Sequence, residues 1–261
     1  RLVEPGGIYT VPRTQAVGSI TLQDDVTVDY ADFRALSSSR ISVNGHTLVI
    51  DTDFTQSSTS TSQGLYMVNA NDDVTIMGTA TFGGYFPALN AGILRLQGDL
   101  EATSTSAYRP GNVTTRFEGT RPQTVTFNGA SSSNNRFTDV QIANLAGVSF
   151  VSQSTTDDFY TNDLTLLDGT SLQAPDLWVG ERLTLEGNAT LRGPEGARLP
   201  RLDLADVLDM NGTSRVYAET VEMRSDLEME PGAELDASLV NLHSRLVEPG
   251  GIYTVPRTQA V

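Results

Sequence analysis

Apolar and polar residues alternate with a period of two along most of the chain, in short runs that lead into a glycine. Val74–Phe82 reads VTIMGTATF, Leu94–Leu100 LRLQGDL, Leu164–Leu172 LTLLDGTSL, Leu183–Leu191 LTLEGNATL and Leu227–Leu235 LEMEPGAEL. Strict alternation marks a strand with one buried face. Glycine supplies the corner, where the backbone must turn tightly. No long segment keeps the 3.6-residue apolar period of a helix; Ala31–Ser38 approaches it briefly and is read as a loop. The pattern predicts inward positions at Ile20, Leu22, Ile76, Leu94, Leu96, Phe117, Val125, Phe127, Val140, Ile142, Leu164, Leu166, Leu183, Leu185, Leu202 and Leu204.

The corner glycines fall at Gly7, Gly45, Gly78, Gly98, Gly119, Gly147, Gly169, Gly187, Gly212, Gly232 and Gly251, with Asp24-Asp25 as a further corner inside the longest gap. A spacing of about 22 residues, filled with two or three short strands, is the size of one β-solenoid coil. The expected fold is therefore all-β: a right-handed parallel β-helix with about eleven coils, rising roughly 50 Å at the ~4.8 Å strand spacing. A β-sandwich also has many short strands, but it would close at its ends. A propeller needs longer blades. Four polar stretches interrupt the rhythm and are expected to bulge as loops: Asp51–Gly64, Thr103–Gly111, Ala130–Arg136 and Ser152–Asp158.

A second, perfect repeat lies over this degenerate one. Arg1–Val17 reads RLVEPGGIYTVPRTQAV, and Arg245–Val261 repeats it without a substitution. A tag or cloning scar would not carry the strand-and-turn grammar of the remaining chain, and this stretch does. The organisation expected is one solenoid period over residues 1–244, with residues 245–261 beginning the next identical period. The two copies are expected to share one conformation and to be related along a single axis.

Composition narrows the function classes. The chain has 261 residues, 38% of them hydrophobic, and a formal net charge of −15. All 17 basic residues are arginine. No basic stripe of the kind a nucleic-acid binder needs is present. No apolar run approaches the ~18 residues of a membrane-spanning helix. With no cysteine, disulfides and thiolate chemistry are excluded.

Phe117–Phe127 (FEGTRPQTVTF), Phe137–Phe150 (FTDVQIANLAGVSF) and Asp163–Leu172 (DLTLLDGTSL) together resemble repeat regions of long secreted or surface-attached bacterial proteins. The likeness covers Val113–Leu191 well and the remainder by rhythm. Val140 stands where leucine is commoner in that pattern. The resemblance implies a parallel β-helix in an adhesin-like or fibre-like protein, with no defined ligand and no catalytic residues to carry over.

Candidate chemistry is sparse. The two histidines, His46 and His243, lack metal-ligand spacing and are expected on turns or outward strand positions. Carboxylates cluster at Asp24/Asp25, Asp51/Asp53, Asp72/Asp73, Asp157/Asp158 and Asp203/Asp206/Asp209. A glycosidase needs two carboxyls ~5–9 Å apart across a sugar cleft, but solvated turn acids explain these clusters without one. Calcium is the one cofactor they could hold, although neither an EF-hand nor a glycine-rich nonapeptide is present. The sequons at Asn112, Asn188 and Asn211 fit turn chemistry as well as glycosylation. Trp178 could be a sugar platform but reads as a core aromatic. Tyr108-Arg109 is the one hint of a binding loop.

No catalytic, cofactor or metal residue is therefore assigned. The expectation is a non-enzymatic structural repeat of a long extracellular or cell-surface filament, partnered by further copies of itself, covalent or head to tail. The alternatives are an adhesin shaft that recognises glycan or a host surface through its loops and, third, a polysaccharide-acting enzyme.

Overall fold

The computed structural model describes residues 8–10, 14–16, 19–29, 33–37, 39–153, 158–224, 226–243, 252–254 and 258–260. They form an all-β parallel solenoid of about ten turns. Among the described residues every pairing between strands is parallel, and the only helical element is the 3₁₀ turn Pro194–Gly196. No helix among the described residues is long and apolar enough to cross a membrane.

Each coil visits three faces in a fixed order. Face A stacks Ile8–Thr10, Val26–Asp29, Thr47–Ile50, Asp73–Ile76, Ile93–Leu96, Thr114–Phe117 and Asp139–Ile142, then residues 163–166 and 182–185, Val207–Met210 and Leu227–Met229. Face B runs beside it from Thr14–Ala16 through Phe54–Ser58, Gln123–Phe127 and Thr190–Arg192 to residues 234–236 and Ile252–Thr254. Face C begins with Ser19–Thr21, Arg40–Ser42 and Gly64–Tyr66. It becomes regular again from residue 159 and ends with Thr258–Ala260.

The period-two pattern works because inward residues meet their own kind one coil away. Val74, Leu94, Thr115, Val140, Leu164, Leu183 and Leu208 form one column of face A. All are essentially sealed from solvent. The predicted inward residues are buried as expected, except Ile20, which is partly buried against the core. Register holds although coil length varies: Leu164 faces Leu183 nineteen residues on, and Leu48 faces Val74 twenty-six residues on. The additional residues leave as loops between strands.

Between Phe54 and Phe159 the core is aromatic. Phe54, Phe82, Tyr108, Phe127 and Phe159 form a chain of rings with centroids 5.0 to 5.8 Å apart. Phe137 and Phe150 pack beside it. Such ring contacts add to the burial of large apolar surfaces. Beyond Phe159 the inward positions revert to Leu, Val, Ala and Met.

Two expectations are corrected. Phe33–Ser37 is a face B strand rather than a loop, because its backbone is paired on both sides, by Thr14–Ala16 and Phe54–Ser58. In Asp51–Gly64, read wholly as a loop, Phe54–Ser58 is also a strand; only Thr59–Gln63 bulges. Its polar Gln56 and Ser58 occupy inward positions, which hid the alternation. Gln56 is satisfied there, its Oε1 accepting from the backbone of Leu65 at 2.9 Å. Corner glycines have two separate causes. Gly147 has φ 95°. Gly98 instead sits so tightly over the preceding coil that an added Cβ would lie 2.2 Å from the Gly78 carbonyl oxygen.

Replacing Leu166 with Asp would bury a charge between Ile142 and Leu185. The expected cost is about 3 kcal/mol or more, from the desolvation of an unpaired polar group. Denaturant unfolding beside Leu166→Met, expected near wild type, checks this.

Candidate functional site

The acids that looked like candidate chemistry mostly build corners. Asp25 accepts from the backbone of Thr47 one coil later at 2.7 Å, and Asp53 from Thr79 at 2.7 Å. Asp99 and Asp168 repeat the arrangement with Thr124 and Asn188, both at 2.7 Å. Asp72 is buried and accepts from the backbones of Gly45, Val68 and Asn69. A carboxylate that accepts several N–H groups is a strong, charge-assisted tie between coils.

Asp73, Asp203 and Asp209 pair with arginine. Asp73 and Glu118 flank Arg95 at 3.0 and 3.3 Å. Arg201 holds Asp203 at 3.0 Å, and Arg182 lies 3.6 Å from Asp209. Asp157 lies outside the described residues.

Stacking does unite Asp24, Asp25 and His46, whose ligand atoms lie within 4.8 Å of one another. Sequence spacing could not show this, because His46 is one coil away. Asp24 accepts from the Asp25 backbone at 2.9 Å, and Asp25 already serves Thr47. The cluster is the corner that Asp24-Asp25 was expected to form. His46 lies in a turn as expected; His243, just past the last strand of its coil, contacts Glu222 at 3.1 Å.

Among the sequons, Asn112 and Asn188 are exposed and Asn211 is half-buried. Asn188 donates to Asp168 at 3.1 Å and bonds the Thr213 hydroxyl, so its amide belongs to a ladder between corners. Trp178 corrects the expectation of a core aromatic. It occupies an outward position between buried Leu177 and Val179, against Tyr160 at 5.1 Å.

Face C holds the other cluster. Between Tyr66 and residue 159 it has no regular strand among the described residues, only isolated bridges at Met67–Leu89 and Ala130–Asn135. The loops from Thr59–Gln63, Tyr85–Ala88, Thr103–Gly111 and Ala130–Arg136 gather here. Together they enclose a groove of about 570 Å³. Tyr66, Phe86, Asn90, Arg109 and Arg136 line it.

Two buried side chains hold these loops in place. Tyr108 points into the core and bonds Thr115 Oγ1 at 2.7 Å. Burial holds its hydroxyl well above the ordinary tyrosine pKa. Asn135 has no exposed surface; its Oδ1 accepts from Ala107 and Tyr108, and its Nδ2 donates to the Ser104 and Asn128 carbonyls. The Tyr108-Arg109 hint thus divides: Tyr108 anchors and Arg109 faces the groove. Tyr66, Phe86 and Arg136 were missed because only coil stacking brings them together.

No family model matches the chain, and neither a curated protein nor a solved structure matches it.

Replacing Asn135 with Ala strands the Tyr108 N–H and leaves Ala107 with only its 3.3 Å bond to the Ser104 carbonyl. The expected loss is about 2 kcal/mol or more, together with faster amide exchange confined to residues 104–111. Hydrogen exchange and chemical denaturation together check it.

Acidification provides a separate test. Burial raises the carboxyls of Asp163, Asp176 and Asp203, aided by Glu181 at the first, Asp158 at the second and Glu222 at the third. A carboxyl raised on folding contributes its full stability when protonated and loses it as pH rises through the folded pKa. Glu222 is opposed. Burial, its largest single influence, raises it, but Asn241, His243 and Arg201 together outweigh this and lower it, so its contribution is lost only as pH falls through the folded value. With a net charge of −15, the melting temperature should rise as pH falls from 7 toward the folded values of these carboxyls, and Asp203→Asn should flatten part of that rise. Calorimetric melts across a series of pH values measure this.

Proposed function

We propose that the chain is one period, and the start of the next, of a long β-solenoid filament on the bacterial cell surface. Its work is mechanical. Each coil buries its apolar columns on its neighbours and closes its backbone hydrogen bonds along the axis. The resemblance of Val113–Leu191 to repeats of secreted and surface-attached bacterial proteins supports the location.

The observation that carries the reading is how the duplicated stretch enters the stack. Ile8–Thr10 and Ile252–Thr254 are strands with the same bounds, as are Thr14–Ala16 and Thr258–Ala260. The first copy pairs on one edge, Ile8 with Thr27 and Thr14 with Phe33. The second pairs on the other edge, Ile252 with Glu234 and Thr258 with Val240. One sequence therefore has a partner for each of its edges, which is what a joint between periods requires. Both Thr27 and Glu234 are outward positions, so the alternation stays in phase through the joint.

The copies are offset by one face. The first places its strands on faces A and B, the second on B and C. Identical periods joined this way turn by one face, a third of a turn, at each repeat.

A chain with residues 1–244 in tandem twice, followed by 245–261, should form one straight rod. Electron microscopy should find it longer by roughly 50 Å at the strand spacing, with loops of the second period rotated about 120° from the first, given the three faces of each coil. Two bodies joined by a flexible link would overturn the filament. A continuous rod without rotation would overturn only the one-face step.

A further inference from the structure

We propose that the face C groove is a binding site for an acidic oligosaccharide. Arg109 and Arg136 would grip its carboxylate or sulfate groups, and Tyr66 and Phe86 would pack on its sugar rings.

Charge distribution is the first argument. The chain carries 32 acidic residues against 17 arginines, yet none of the groove's described lining residues is acidic. Elsewhere, arginines such as Arg95, Arg198 and Arg201 are held by carboxylates. Arg109 and Arg136 meet no carboxylate among the described residues. They donate to the Ser133 and Ser132 carbonyls at 3.2 and 2.7 Å. Arg136 Nε is buried with no hydrogen-bond partner. Burial, and then the charge of Arg109, lowers the Arg136 pKa, as expected for two neighbouring cations without a counter-ion. Such a pair is completed by an anion that accepts from both guanidinium groups.

Shape and aromatic placement give the ligand class. Tyr66, Phe86–Asn90, Arg109–Gly111 and Arg136 come from four successive coils, so the groove runs along the axis for about 14 Å at the strand spacing. That suits an extended short oligomer rather than a single ion. The rings are held: Arg40 lies 4.9 Å over Tyr66, Arg109 5.7 Å over Phe86, and Tyr85 stacks on Phe86 at 5.0 Å. Fixed aromatic faces beside hydrogen-bonding groups suit sugar rings, which present both C–H faces and hydroxyls. A nucleic acid would bring a long, densely charged backbone against a surface of net charge −15. A sparsely charged sugar chain needs only the local arginine pair.

Isothermal titration of the whole chain with trigalacturonate tests the carboxylated form, and a sulfated trisaccharide of similar length tests the other. Maltotriose is the neutral control. Saturable binding of either acidic probe, weakened at least tenfold by Arg109→Gln with Arg136→Gln and by Tyr66→Ala, is the expected result. Arg182→Gln, on face A, should leave binding unchanged, and far-UV circular dichroism should show all variants folded. The inference is overturned if neither acidic probe binds, if maltotriose binds as tightly, if the groove variants bind like wild type, or if a short single-stranded oligonucleotide binds more tightly than both sugars.

Discussion

The structure depends on hydrogen bonding between parallel strands stacked one coil apart. A single three-sided coil can neither satisfy its own backbone nor bury its apolar side; both are completed by the coils above and below. The inward column Val74–Leu94–Thr115–Val140–Leu164–Leu183–Leu208 and the outward Asp73–Arg95–Glu118 contacts both follow from that stacking. So do the corner aspartates. A carboxylate at a turn lies beside the N–H of the next coil, as Asp25 does with Thr47 and Asp53 with Thr79.

Coil length is free under this constraint, but register is not. Faces A and B keep their pairing whether a coil takes nineteen residues or twenty-six. Between Tyr66 and residue 159 the excess collects on face C, and the core beneath holds rings. Tyr108 and Asn135 act from the loops themselves, one packed in the core and the other holding its backbone. An irregular face with rigid anchors carries a groove lined by loops from several coils.

The fold was legible wherever the inward residues were apolar and the outward ones polar. Leu164, Leu166, Leu183 and Leu185 state their strands in the sequence alone. Phe54–Ser58 did not, because Gln56 and Ser58 face inward and find polar partners there. Phe33–Ser37 owes its strand to neighbours on both sides. Trp178 misled because a large aromatic on an outward position looks like core until its buried neighbours fix the parity. The groove was legible in one residue, Arg109. Its other parts lie tens of residues apart in sequence and meet only through the count of residues per coil, which no local pattern contains. His46 met Asp25 in the same way.

Hydrogen bonds that run along the axis also decide how such a rod answers a pull on its ends. Tension loads them in series at the outermost coil rather than in parallel across many strands, so coils would peel one after another. Each coil released frees eighteen to twenty-six residues, or roughly 60 to 90 Å of extended chain, in place of a rise near 4.8 Å. A rod built this way would lengthen many-fold in steps, absorbing work under load that a stiff one would pass on.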